Sequence, residues 1–124
     1  MSSGNNKRVS EIKRAQRESL LSKKIASLLS TIALDDPRIA GLMLNRVQLS
    51  PDKGVATLYF YTPEGQEAFR EKLEILILYK PSIRSALAKL IPSRYTPDLV
   101  FKYDAQFEKE LHINLLLDTL KDEE

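Results

Sequence analysis

The sequence predicts a two-layer α+β domain, a three-stranded sheet with helices on one face and a further helix at the C-terminus. Three observations carry that expectation. Two adjacent segments alternate apolar and polar residues as half-buried strands do, and a third follows late in the chain. Apolar residues at helical spacing precede, separate and follow these segments. A chain of 124 residues is long enough to bury one core, while two domains of half that length would each be marginal.

Residues 1–13 are polar and aperiodic, and read as a flexible basic arm. A helix is expected from residue 14 to about Ala33, because Leu21, Ile25, Leu28 and Ile32 fall four, three and four residues apart. Asp35-Asp36-Pro37 ends it, since the residue before a proline is pushed out of the helical region. Met43–Leu49 reads as a strand with Val47 and Leu49 inward. The connection Ser50-Pro51-Asp52-Lys53-Gly54 has a proline that presets φ, an aspartate that bonds its own backbone and a glycine for positive φ. Val55–Tyr61 is the second strand, with Ala56, Leu58 and Phe60 inward and Thr57, Tyr59 and Tyr61 on the wetter face.

Thr62-Pro63-Glu64-Gly65 stops that strand and opens a helix to about Tyr79, with Phe69, Leu73, Leu76 and Ile77 as its buried stripe. Pro81 is expected to break the helix and Ser82 to cap a new one carrying Ile83, Leu87, Leu90 and Ile91. Residues 93–97 connect to a third strand, Asp98–Tyr103, with Leu99, Phe101 and Tyr103 on one face. A last helix over about Gln106–Leu120 gathers Ile113, Leu116, Leu117 and Leu120, and residues 121–124 form an acidic tail. The folded domain is thus expected over residues 14–120.

Composition narrows the function classes. Hydrophobic residues make up 43% and charged ones 29%, a globular balance and not that of a disordered chain. No run approaches the roughly 20 apolar residues of a membrane span, so no membrane contact is expected. The N-terminus lacks the apolar stretch of a secretory leader, and Glu11 and Glu18 weigh against an organellar one. Cysteine is absent, which removes disulfides, thiolate zinc sites and a cysteine nucleophile, and suits a reducing compartment. The net charge of +2 is unevenly distributed. Residues 1–24 hold seven basic groups against Glu11 and Glu18, whereas residues 104–124 hold seven acidic groups against Lys109 and Lys121. Such polarity suits either an oriented approach to a polyanion or simply solvated helix faces.

Helix, strand, strand, helix, helix, strand is also the element order of the type II KH fold, an RNA-binding architecture. The local residues extend that likeness. Asp36-Pro37-Arg38 closing a helix, Leu49-Ser50-Pro51-Asp52 closing the first strand, Ile83-Arg84 with Leu87 and Leu90, and Arg94-Tyr95-Thr96-Pro97-Asp98-Leu99 entering the last strand together resemble the ribosome-binding factor A family. The resemblance covers about residues 14–120. Two features depart from the usual patterns. Tyr79-Lys80-Pro81 stands where the family carries an alanine-x-glycine kink, and the glycine-x-x-glycine clamp of single-strand-binding KH domains is absent here, as it is from the family. The bend is expected to survive, made by proline instead of glycine.

The resemblance implies a bacterial-type, cytoplasmic, monomeric and non-catalytic assembly factor without a cofactor. Its partners would be the immature small (30S) ribosomal subunit and the 16S rRNA, in late maturation and most importantly in the cold. For such a partner the chemistry needed is cations facing phosphate, guanidinium above all. Between Tyr79 and Lys102, five basic groups (Lys80, Arg84, Lys89, Arg94, Lys102) face only Asp98. Lys80, Arg84, Lys89 and Arg94 are therefore the first candidates; for Arg84 the alternative is an ion pair with a neighbouring helix. On the first helix Arg14, Arg17, Lys23 and Lys24 suit phosphate or plain solvation equally, and Arg38, next to Asp35 and Asp36, suits a local salt bridge or a helix-end contact at least as well as phosphate. Tyr59, Tyr61 and Tyr95 are candidate stacking platforms, with ordinary packing as the alternative. His112, the only histidine, lacks the partners of a metal or catalytic site and reads as a helix-surface or partly packed residue. Asp35-Asp36 reads as helix termination, not as a catalytic pair. A protein-interaction module, docking through the acidic last helix, is the alternative function.

Overall fold

The computed structural model describes residues 3–90 and 96–122. In chain order these form α1 (Ser3–Asp35), a 3-10 turn (Pro37–Ile39), β1 (Met43–Leu49), β2 (Val55–Tyr61), α2 (Gln66–Leu90), β3 (Asp98–Tyr103) and α3 (Ala105–Asp122). The sheet order is β1-β2-β3, with β1 antiparallel and β3 parallel to the central β2. All three strands have the predicted bounds, because period-two alternation leaves little freedom in placing them.

The inward face of β2 is entirely buried: Ala56, Leu58 and Phe60 lie under α1 and α2. Leu21 and Ile25 of α1, Phe69, Leu76, Ile83 and Leu87 of α2, and Val47, Leu49 and Leu99 complete the core. Aromatic rings close its upper end, with Phe60 stacked on Phe69 at 6.0 Å and edge-on to Phe101 at 5.9 Å. The predicted buried stripe of α2 needs one correction. Ile77 is exposed, because Phe69, Leu76, Ile83 and Leu87 already define the inward face and Ile77 lies 100° beyond Leu76.

A few side-chain hydrogen bonds fix how the helices lie on the sheet. The Glu18 carboxylate accepts the Leu49 N–H at 2.7 Å, tying α1 to the last residue of β1. At the other end of α1, the buried Asp36 accepts the Arg38 N–H at 3.1 Å and the Arg38 guanidinium at 2.8 and 2.7 Å. The same carboxylate accepts the Tyr79 hydroxyl of α2 at 2.5 Å. Lys72 of α2 donates to the carbonyls of Arg38 and Ala40, which holds the 3-10 turn against the same helix. Hydrogen bonds from Arg38 and Tyr79, with the Arg38 charge, hold the Asp36 carboxyl well below the usual carboxylate range.

Three expectations are corrected. Residues 3–13 belong to α1, not to a flexible arm. A helix already anchored from Glu18 onward needs no new nucleus, so it extends through a polar segment of only moderate helix propensity. Pro81 does not divide α2, which runs unbroken from Gln66 to Leu90 with the proline inside, so Ser82 caps nothing. Pro81 is on the exposed side, and Leu76, Ile83 and Leu87 grip the core on both sides of it; that packing outweighs the roughly 3 kcal/mol cost of an interior proline. In the β1–β2 connection it is Lys53, with φ 62°, that takes the left-handed conformation, not Gly54. A Cβ on Gly54 would lie 3.3 Å from Asp52 Oδ1, the atom that accepts the Gly54 N–H.

Two outcomes are expected. Pro81→Ala restores one backbone donor and removes the ring clash, and should raise unfolding stability by about 1–3 kcal/mol in urea titrations. The Asp36 carboxyl binds its proton less readily in the folded than in the unfolded chain. Its contribution is therefore complete above the ordinary carboxylate value, near 3.9, and is lost as pH falls below it. Asp36→Asn should lower the thermal midpoint at neutral pH and flatten the acid limb of the stability curve; equal acid limbs in both proteins would refute this.

Candidate nucleic-acid interface

The bottom row of the sheet is formed by Leu49, Ala56 and Leu99, which are aligned across the three strands. Glu18 on α1 reaches this row through Leu49, and Lys80 on α2 reaches it through Asp98, 3.6 Å from its Nζ. Cations carried by the N-terminal half of α1 and the C-terminal half of α2 therefore share one end of the domain. Lys23, Arg84 and Lys89 are exposed there, and Lys24 is half-buried. None of these four forms an ion pair among the described residues. Arg17 is half-buried on the same stretch of α1. Lys80 is 32% exposed and shares its charge with Asp98. Arg94 and Tyr95 lie outside the described residues.

The two sources of positive charge stand differently toward their own helices. On α2, Glu67 in the first turn and Lys89 in the last suit the macrodipole. The first turn of α1 holds no acidic group and its last turn no basic one. Arg8, Lys13, Arg14 and Arg17 lie beyond that first turn, where the dipole has fallen off, so it neither favours nor opposes them appreciably.

The same stretch projects beyond the sheet. Among the described side chains of α1 Leu21 is the first buried one and Arg14 the first half-buried one, so residues 3–13 overhang the bottom row by about 16 Å at 1.5 Å per residue. The turn between β1 and β2 adds Lys53 at this end, a residue sequence reasoning passed over. Only its position between the two strand ends signals it.

Other candidates are occupied. Arg38 is held as a fork by Asp36, the local salt bridge that was the alternative for it. The Arg46 guanidinium lies 4.1 Å from the centre of the Tyr59 ring, and the Tyr59 hydroxyl donates to Gln48. Tyr61 packs against Tyr103 and, edge-on at 5.0 Å, against Phe107. The sheet's open face thus spends its aromatic rings on packing. Lys102 is exposed on β3, aligned with Tyr59 and away from the bottom row. His112 is exposed on α3.

Among the described residues no group of three or more His, Asp or Glu side chains is placed to hold a metal ion, and no helix is long and apolar enough to cross a membrane. A cavity of about 280 Å³ between α1 and β1 is lined by Leu29, Ala33, Leu42, Leu44 and Leu76, with Ser30 the one polar side chain among its lining residues.

The family model for ribosome-binding factor A matches residues 13–117. The chain belongs to the ribosome-binding factor A family. A ribosome-binding factor A of Neisseria meningitidis is 38% identical over 96 residues, spanning 77% of this chain and 76% of that protein. One from Citrifermentans bemidjiense is 33% identical over 107 residues, 86% of this chain and 89% of that protein. Among solved structures, the crystal structure of ribosome-binding factor A from Thermus thermophilus superposes with a TM-score of 0.61 at 30% identity, covering 71% of this chain and 92% of that one. The solution structure of a putative ribosome binding factor A from Thermotoga maritima gives 0.65 at 31% identity, with 72% and 84% covered. The fold is accordingly the expected KH-like α+β class. Within this chain the Asp36-Pro37-Arg38 run is the linchpin between α1 and α2, and Leu49-Ser50-Pro51-Asp52 is the turn at the cationic end.

At the opposite end, Asp104 fixes the start of α3. Its Oδ1 accepts the Phe107 N–H at 3.1 Å as an N-cap, while Oδ2 accepts from Asn45 at 2.7 Å and Arg46 at 3.3 Å. Asn45 reaches it because the β1–β2 register is irregular between Leu44 and Arg46. Burial opposes ionisation of this carboxyl, but the bonds from Asn45 and Phe107 and the Arg46 charge hold it below the usual carboxylate value. Asp104→Ala should cost about 1–2 kcal/mol and fray α3 from its first turn, read as lost helical circular dichroism before the main transition.

Proposed function

We propose that the chain is a non-catalytic assembly factor that binds the immature small ribosomal subunit as a monomer and assists late maturation of its 16S rRNA. Membership of the ribosome-binding factor A family supports association with the ribosome. The observation that carries the RNA reading is the convergence of two sets of cations at one end. Arg84, Lys89, Lys23 and Lys24 would meet phosphates directly. Arg17 and Lys80 would add to the field from half-buried positions, and Arg94, outside the described residues, stays a candidate on its sequence position alone. Arg38 serves the fold through Asp36 and is left out of the contact set.

Recognition of this kind reads the shape and charge of folded rRNA, not the bases of a single strand. Affinity should therefore fall steeply with salt. In gradient co-sedimentation with immature small subunits, Arg84→Ala with Lys89→Ala should weaken binding at every salt concentration. It should also lower the slope of log affinity against log salt by roughly 1.5–2, with stability reduced only by the roughly 0.3–1 kcal/mol that Lys89 contributes at the helix C-terminus. Salt-independent binding, or an unaltered slope in the variant, would remove this end from the interface.

A further inference from the structure

α3 carries two apolar stripes on opposite sides, and the body uses only one of them. Phe107 packs on Tyr61 and Leu111 is half-buried, which assigns the Phe107–Leu111 side to the domain, while Leu115, next on that side, is already 57% exposed. Ile113, Leu116, Leu117 and Leu120 lie on the other side, between 47% and 65% exposed. Beyond Leu111 every described side chain of α3 is exposed, so the helix leaves the domain as a projecting arm. Four aliphatic residues held in water on a capped, fixed helix form a patch of the kind that marks an interaction surface.

The spacing and charge select the occupant. Positions i, i+3, i+4 and i+7 are the anchors of a helix laid into an apolar groove. Four half-exposed side chains offer only a few hundred Å², against about 800 Å² per partner in a stable pairwise interface. Two such helices meeting face to face would bury too little, and both are acidic: Glu108, Glu110 and Asp118 outnumber Lys109 and Lys121 even before the acidic terminus. That charge also turns the arm away from phosphate. A groove closes around the helix, covers more of it and can carry a rim of opposite sign.

We propose that α3 is a docking helix for a basic protein whose apolar groove is rimmed by lysine and arginine. The inference rests on the assembly-factor reading above, since an RNA particle holds both the phosphates that suit the α1–α2 end and the basic proteins that suit α3. The chain would then grip the particle at two chemically opposite points, rRNA at the cationic end and protein at the acidic arm.

Photocrosslinking on purified immature small subunits separates the two claims. Full-length chain is prepared with benzoylphenylalanine in place of Leu117, and separately in place of Arg84, then irradiated on the particle. Position 117 should join one ribosomal protein, at a peptide bordered by lysine or arginine and beside apolar surface, while position 84 joins rRNA. Leu116→Asp with Leu117→Asp should lower affinity for the particle about tenfold or more with no loss of thermal midpoint, because both side chains are already exposed. Crosslinks from position 117 to rRNA, to a second copy of the chain or to nothing, with position 84 still marking rRNA, would overturn the docking helix alone. Loss of the rRNA crosslink at position 84 as well would overturn the assembly-factor reading itself.

Discussion

One buried carboxylate sets the geometry of the molecule. Asp36 sits where α1 stops, and its two oxygens take the Arg38 backbone, the Arg38 guanidinium and the Tyr79 hydroxyl. A lone buried carboxylate is costly, and this one is neutralised and hydrogen-bonded within a three-residue turn. Because Tyr79 belongs to α2, the same group that terminates one helix fixes its height against the next. Glu18, bonded to Leu49, then settles the direction of α1 across the sheet. With both ends pinned, the remaining length of α1 has only one place to go, outward past the bottom row.

The charge pattern is best understood from that constraint. Were α1 shifted by a few turns, its cations would lie over the apolar face of the sheet or be spread along the domain. As anchored, the lysines and arginines of its N-terminal half stand beside those at the end of α2, whose own order is favoured by the helix dipole. The acidic groups of α2 and α3 gather toward the other end. A net charge of +2 therefore conceals two oppositely charged regions, and the separation is made by packing rather than by composition.

The strands were legible to the residue, since alternation at Val55–Tyr61 and Asp98–Tyr103 admits one register and the turn residues bound it. The helices were less so, for two distinct reasons. Residues 3–13 lack an apolar period, and the side chains of residues 8–13 are all exposed; a rule built on burial cannot see a stretch of helix of that kind. Pro81 was overruled by packing: local propensity votes for a break, but Leu76 and Ile83 sit on either side of it in one core. At the site, the sequence pointed to Lys80, Arg84, Lys23 and Lys24, but not to which of them meet. Nor could it show that Arg38 is spent on Asp36, or that Lys53 comes to the same end, because both facts depend on how the elements are anchored.

The open face of the sheet gives the same lesson from the opposite side. In a sheet-based RNA platform, exposed rings on neighbouring strands receive unstacked bases. Here Tyr59 is covered by Arg46, and Tyr61 is enclosed by Tyr103 and Phe107. Arg46 is in turn drawn toward Asp104, the group that caps α3. The rings and the cation on this face are thus committed to setting the angle at which α3 departs. Opening the face to a base would mean breaking a cation–π contact, an aromatic cluster and the anchoring of a helix cap together. The helix-borne cations at the far end face no comparable cost, since Lys23, Arg84 and Lys89 are already exposed. The sheet therefore acts as the frame that aims two helices, and the chemistry suited to phosphate lies on the helices themselves.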